Sequence, residues 1–284
     1  MKARLAELFR KARDRYDYPW ARITGGSAAL HFDSRPTVTD LTLDSYQQVL
    51  LASPIAPDVW LACGSVIYWG YITSSASRAR SRANLYYTKH PIADAPFVAE
   101  VVRHARSRCM SARWGDALAT LKPLRQLGQI PFASKIIAYV DPVNAGVYDN
   151  RINSFLADSG LAGPMLGRPA IMRGSSGIMQ RATVLSRTVQ LTYQAWCLRL
   201  RQLRDQLNVL GVTWQCTEGT VQRWRGVDVE RAIFRFAKAE PKRRLKSAPS
   251  GAIGRSANDG NRQESLDDGD FIRDLREHCE QHPL

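Results

Sequence analysis

The 284-residue chain has no CxxC pair, and its five cysteines (Cys63, Cys109, Cys197, Cys216, Cys279) are odd in number and widely scattered. That pattern excludes the close clustering that zinc or an iron–sulfur cluster needs. Reduced thiols of a cytoplasmic protein are the plain reading. The five histidines (His31, His90, His104, His278, His282) show no ligand spacing either, so neither metal nor cofactor is expected. The opening MKARLAELFRKARDRY is basic and amphipathic, without the apolar region of a secretory signal. The uncharged run Val59–Ile72 is too short to span a bilayer and reads as a buried helix. No internal repeat is visible, and Gly174-Ser175-Ser176-Gly177 lacks the lysine of a phosphate-binding loop.

Acid is scarce as well. Asp+Glu 26 against Lys+Arg 40 gives a net charge of +14. The excess is local: Gly160–Arg204 holds seven arginines and no carboxylate, and Ala76–Arg113 holds eight Lys/Arg against Asp94 and Glu100. Glu240–Leu284 is close to neutral, which leaves about +15 on the rest. Clustered arginine points to a phosphate polyanion as partner, with an ordinary basic surface as the alternative.

The apolar periodicity predicts a mostly α-helical fold. Helices are expected over Met1–Tyr16, Asp44–Leu51, Asp58–Ile72, Ser77–Tyr87, after Asp94, over Trp114–Leu124, Arg151–Asp158, Gln180–Leu210 and Val227–Lys238. Ile23–Asp40 reads as irregular with short β-like runs, and Leu161–Gly177 as a long surface loop. Asp228 and Glu230 near the start of the last strong helix complement its dipole. From Pro241 the composition turns polar and disorder is expected, with a short helix near Phe271–Cys279. The division read from this is 1–58, an N-terminal helix and irregular segment; 59–239, the main helical domain; and 240–284, a disordered tail.

The stretch Leu127–Arg151, LGQIPFASKIIAYVDPVNAGVYDNR, carries the chemistry. A tight apolar turn leads into a helix holding one lysine, Lys135, and a second loop ends at one carboxylate, Asp149. A turn that opens a helix presents backbone N–H groups to a phosphate. Asp149 also suits the N-cap of the helix that begins at Asn150.

Leu127-Gly128-Gln129-Ile130-Pro131, Phe132-Ala133-Ser134-Lys135 and Val147-Tyr148-Asp149-Asn150-Arg151 resemble the helix–hairpin–helix DNA glycosylase superfamily. The resemblance is to its compact bacterial branch with an 8-oxoguanine glycosylase-like fold. Tyr193-Gln194-Ala195-Trp196-Cys197 and Val227-Asp228-Val229-Glu230-Arg231-Ala232 are similar to that branch too. The resemblance covers roughly Val59 to Lys238. It implies a double-stranded DNA partner, a monomer, and excision of a modified base.

In that reading Asp149 stabilises the oxocarbenium-like sugar or activates water. Gly128, Gln129, Ile130 and Arg151 dock DNA, joined by Arg78, Arg80 and Arg82 on their helix. Trp69 and Tyr68 contribute to a base pocket, with Trp60, Tyr86 and Tyr87 as further aromatic candidates; core packing is the plainer role for each. Small residues at Gly64, Ser65, Ser74 and Ser75 are read as leaving that pocket open. The hairpin departs from the pattern of lyase-active members: aligning Ile130-Pro131 with their valine–glycine pair puts the nucleophile position on Ala133. Lys135 is then either a displaced nucleophile or a phosphate contact with Asp149 working alone, and the second, monofunctional arrangement is preferred. The substrate implied is α-glucosylated hydroxymethylcytosine of phage DNA in antiviral defence, or oxidised guanine in repair. The preference is for defence. A non-catalytic DNA-binding module and an RNA-binding accessory protein stand as alternatives.

Overall fold

The computed structural model describes residues 1–16, 21–23, 30–32, 40–71, 75–171, 183–239 and 268–284, which hold twelve α-helices and two small hairpins. α1 (Ala3–Asp14) buries Leu5, Ala6, Phe9 and Ala12, a three- and four-residue spacing that fills one helix face. β1 (Ala21–Ile23) and β2 (Leu30–Phe32) pair antiparallel, Ala21 opposite Phe32, where only β-like runs were expected. α2 (Asp40–Leu51), α3 (Ala56–Tyr71), α4 (Ala76–Lys89) and α5 (Ala95–Met110) fall on expected helices. The Ser75 hydroxyl caps α4 by accepting from the Arg78 N–H at 3.1 Å. α3 is apolar almost all round, which suits its place among α2, α4, α5 and α7.

α6 (Trp114–Thr120) stops four residues before the expected Leu124. Successive turns follow over 121–128, with Pro123 unable to extend the helix and Gln126 in the left-handed region at φ 70°. Then come α7 (Ile130–Val140), α8 (Asn150–Asp158) and α9 (Ala162–Leu166). The last is a short helix inside the stretch read as a loop; 172–182 lie outside the described residues. α10 (Arg187–Val209) starts later than Gln180 and is the longest helix. β3 (Trp214–Gln215) pairs with β4 (Val221–Gln222), a hairpin the periodicity did not signal. α11 (Gly226–Ala239) and α12 (Asp268–Gln281) complete the order.

One hydrophobic core runs through all three segments into which the sequence divides, from Leu5 to Cys279. α1 packs on α11 and α12, α2 on α3 and α7, and α10 on α6, α9 and α11. The tail divides: 240–267 lie outside the described residues, whereas the short helix expected near Phe271–Cys279 is present over 268–281 and seats Phe271 face-on against Phe236 at 3.6 Å, so the reading of all of 240–284 as a disordered tail is corrected in part. Disorder fails there because Phe271, Leu275 and Cys279 share one apolar face.

Asp228 lies in the first turn of α11, as its position suggested, but burial and ion pairs govern it. It is fully buried, pairing with Arg13 at 3.0 Å and Arg225 at 2.8 Å. Arg231 reaches Asp44 at 2.5 Å and Asp40 at 3.1 Å, so three arginines and three aspartates lock α1, α2 and α11 together. Burial opposes the charge on Asp228, but Arg225, Arg13 and Arg231 hold its carboxyl down to about 2.

Candidate functional site

Asp149 sits where α8 begins, and its position is fixed from three sides. Its carboxylate oxygen Oδ1 accepts the backbone N–H of Arg151 at 2.9 Å and of Ile152 at 3.2 Å, leaving Oδ2 outside the cap. The segment before it is clamped by α10. Tyr193 donates its hydroxyl to the Gly146 carbonyl at 3.1 Å, and Trp196 donates to the Val147 carbonyl at 3.2 Å. From α7, the Ser134 hydroxyl oxygen accepts the Tyr148 N–H at 3.1 Å. The Tyr193–Cys197 motif thus acts by holding the loop that delivers Asp149.

Lys135 lies one residue beyond Ser134, and its side chain is only 5% exposed. The ammonium nitrogen Nζ donates to the Pro131 carbonyl at 2.9 Å and lies 5.2 Å from the centre of the Phe132 ring. Burial pushes the ammonium below the usual lysine range, and Arg151 adds to this, while Asp149 and Glu230 pull the other way. Gly70 makes the arrangement possible. A Cβ there would come within 2.6 Å of Phe132 Cε1 and 3.2 Å of Lys135 Cδ.

Lys135 and Asp149 meet at a cleft of about 670 Å³ walled by the ends of α3 and α4, the 122–129 turns and the heads of α7 and α8. Its walls carry Arg78, Arg82, Lys89, Lys122, Arg125 and Arg151, and among the described residues Asp149 is their single carboxylate. Tyr71 and Phe132 stack at 4.5 Å as an aromatic ledge, with the Arg78 and Arg82 guanidinium groups 5.4 and 5.5 Å from the Tyr71 ring centre.

The residues expected at a DNA interface divide clearly. Gly128, Gln129, Arg78, Arg82 and Arg151 line the cleft. Gly128 passes so close to Lys122 that a Cβ would meet its Cδ at 3.3 Å. Ile130 does not line the cleft: as the first residue of α7 it turns its side chain wholly into the core. Arg80 is exposed elsewhere, because a helix brings 78 and 82 to one face and 80 to another.

The aromatic and small-residue expectations change too. Tyr68 is half-buried and packs on the core, away from the cleft. Trp60, Tyr86 and Tyr87 pack on one another, and Trp60 donates its indole N–H to the His90 carbonyl at 2.7 Å. Gly64 leaves no pocket open, since the Tyr87 ring fills the space beside it; Ser65 is buried and Ser74 lies outside the described residues.

Trp69 lies deeper, edge-on to Tyr139 at 5.7 Å, and lines a second, small cavity behind the cleft. This chamber, of about 20 Å³, has room for one water. Lys135 and Asp149 line both spaces, and Glu230 lines the inner one. Sequence reasoning missed Glu230, Tyr71 and Gly70 as parts of the site. Glu230 looked like a helix-start acid, and Tyr71 closed an apolar run.

Among the described residues, no group of three or more His, Cys, Asp or Glu could hold a metal ion. Among the same residues no helix is long and apolar enough to cross a membrane. Comparison with protein-family models, with curated proteins and with solved structures finds no match to this chain.

Proposed function

We propose that the chain is a DNA N-glycosylase that takes a flipped nucleotide into the cleft and releases its base. The observation that carries the reading is a buried lysine amine beside a helix-capping carboxylate, at the inner end of a cleft rimmed by cations. The rim supplies sequence-independent phosphate contacts, and the Tyr71–Phe132 ledge offers a surface for base stacking. A desolvated lysine loses its proton readily and becomes a nucleophile. Attack of its lone pair on C1′ breaks the glycosidic C–N bond, whose electron pair leaves with the base. Asp149 faces the positive charge that develops on the sugar.

This assignment moves Lys135 from the phosphate backbone to the reacting centre. A phosphate contact belongs on the exposed rim, where Arg78, Lys122 and Arg125 stand, rather than on an amine turned inward onto its own helix. The width and polar walls of the cleft favour the bulkier substrate, α-glucosylated hydroxymethylcytosine of phage DNA, and hence a role in antiviral defence. Repair of 8-oxoguanine is the alternative.

The test is incubation of the full chain with T-even phage DNA, with and without glucosylation, alongside an 8-oxoguanine duplex. Abasic sites are scored, with borohydride added to trap a covalent Lys135 adduct. Excision of the glucosylated base with trapping supports the full reading. Abasic product without an adduct returns catalysis to Asp149 alone. Binding to all three DNAs without excision makes the chain a non-catalytic DNA-binding module.

A further inference from the structure

Glu230 stands on the face of α11 that closes the inner chamber, opposite Lys135 on α7 and Asp149 at the head of α8. It is 5% exposed. The loop across from it is cut back to admit it: a Cβ on Gly146 would lie 2.6 Å from Glu230 Cβ and 3.0 Å from Cγ. A buried carboxylate normally has an ion-pair partner. Among the described residues, no cation lies within 4 Å of this one. The neighbouring Arg231 spends its guanidinium on Asp44 and Asp40 instead. The other titratable or charged groups around the chamber are Tyr16 beyond α1, Tyr139 on α7 and Asp149; Arg151 on α8 acts on Lys135 from the cleft side.

The geometry points to Glu230 as a positioning residue that shares one proton with Lys135 across the chamber and so sets the charge on the reacting amine. The proton moves when an ammonium N–H bond of Lys135 breaks and an O–H bond forms on the Glu230 carboxyl, relayed by the one water the chamber can hold. The amine is left with a free lone pair, and the pair as a whole carries no net charge. The electrostatics agree: burial pushes the Glu230 carboxyl up to about 8, and Asp149 adds to it, against the pull of Arg231, Lys135 and the Val147 N–H. Lys135 is displaced in the opposite direction by the same loss of water. Two groups displaced toward each other titrate as a pair.

The pair shifts the pH at which the amine becomes free. A lone lysine becomes more reactive as pH rises. Here the buried Glu230 anion, once formed above about pH 8, favours the proton on Lys135, so the amine becomes free at a higher pH than it would without that carboxyl. In Glu230→Gln that anion cannot form, so the amine stays neutral at high pH. Below about pH 7 a protonated carboxyl and an amide act alike, and the two proteins behave the same.

The measurement is reductive methylation of the full chain with formaldehyde and borohydride from pH 6 to 10, reading the Lys135 peptide by mass spectrometry. We expect Glu230→Gln to label Lys135 several-fold faster than the unsubstituted chain at pH 9, up to about tenfold for a coupling of one pK unit, with equal rates at pH 6. Superimposed profiles overturn the proposal. Should the variant not fold, the unsubstituted chain suffices: its Lys135 profile must spread over two steps, and a single one-proton curve refutes the pairing. The inference rests on Lys135 as the reacting amine only for its effect on excision, whose rise with pH should lie at higher pH in the unsubstituted chain than in the variant. Labelling needs no DNA, so a chain that labels as expected yet excises nothing keeps the pair and loses the glycosylase reading.

Discussion

Asp149 has two separable jobs in this structure, and substitutions can pull them apart. As an N-cap it holds the Arg151 and Ile152 N–H groups through one oxygen; as the carboxylate of the cleft it presents the other. Asparagine caps about as well as aspartate, so Asp149→Asn loses only the favourable charge at the helix N-terminus, about 0.5 kcal/mol. Asp149→Ala loses the cap as well, about 1 kcal/mol more. At about 2–4 °C per kcal/mol for a sizeable domain, the melting temperature should fall by about 2 °C or less for Asn and by about 3–6 °C for Ala. Catalysis should not follow that order. Removing one group that stabilises the transition-state charge costs about 10²–10³ in rate, whichever residue replaces it. The assays are thermal unfolding by circular dichroism and single-turnover excision on whichever of the three DNAs is cleaved. Excision by Asp149→Asn within about threefold of the unsubstituted rate would refute the chemical role and leave Asp149 a cap. A rate loss confined to Asp149→Ala would mean the same.

Lys135→Met should abolish borohydride trapping yet raise the melting temperature at neutral pH, since it replaces a desolvated amine with an apolar chain of similar length. In the unsubstituted chain the folded state gives up the Lys135 proton at a lower pH than the unfolded one, so that handicap should shrink as pH rises toward the usual lysine range. Asp228→Asn breaks the buried network of three arginines and three aspartates and should cost about 3–5 kcal/mol, a melting shift of about 10 °C. Because Asp228 is held at about 2, its contribution is intact above the ordinary aspartate value near 4 and fades as pH falls toward 2, which acid unfolding monitored by circular dichroism would show. Arg82→Ala should lower the slope of log binding constant against log salt by about one on duplex DNA, whereas Arg80→Ala should leave it unchanged.

Asp149 was legible in the sequence because its cue is local: an aspartate just before a helix-forming run. Most helices were legible for the same reason. Burial of Lys135 was not, because it depends on α11 closing over the chamber from nearly a hundred residues away. Asp228 and Glu230 were read by their distance from a helix start, but burial and partners decide what they do. Arg78, Arg80 and Arg82 were grouped as DNA contacts, but helical geometry turns Arg80 away from the other two. Ile130 was placed at the DNA by its position in the turn, and its apolar side chain followed the core instead.

The packing of α1 and α12 on α11 bears on the order in which the chain folds. α3–α7 are joined largely by neighbours in sequence, whereas the floor of the chamber is braced by the two ends of the chain, with Lys2 bonded to Glu277 at 2.6 Å. Contacts of such long separation close slowly, because the intervening chain must first be ordered. The cationic rim should therefore form early and the Lys135 amine should be enclosed last; on the glycosylase reading, a half-folded chain would hold DNA before it could cut a base from it.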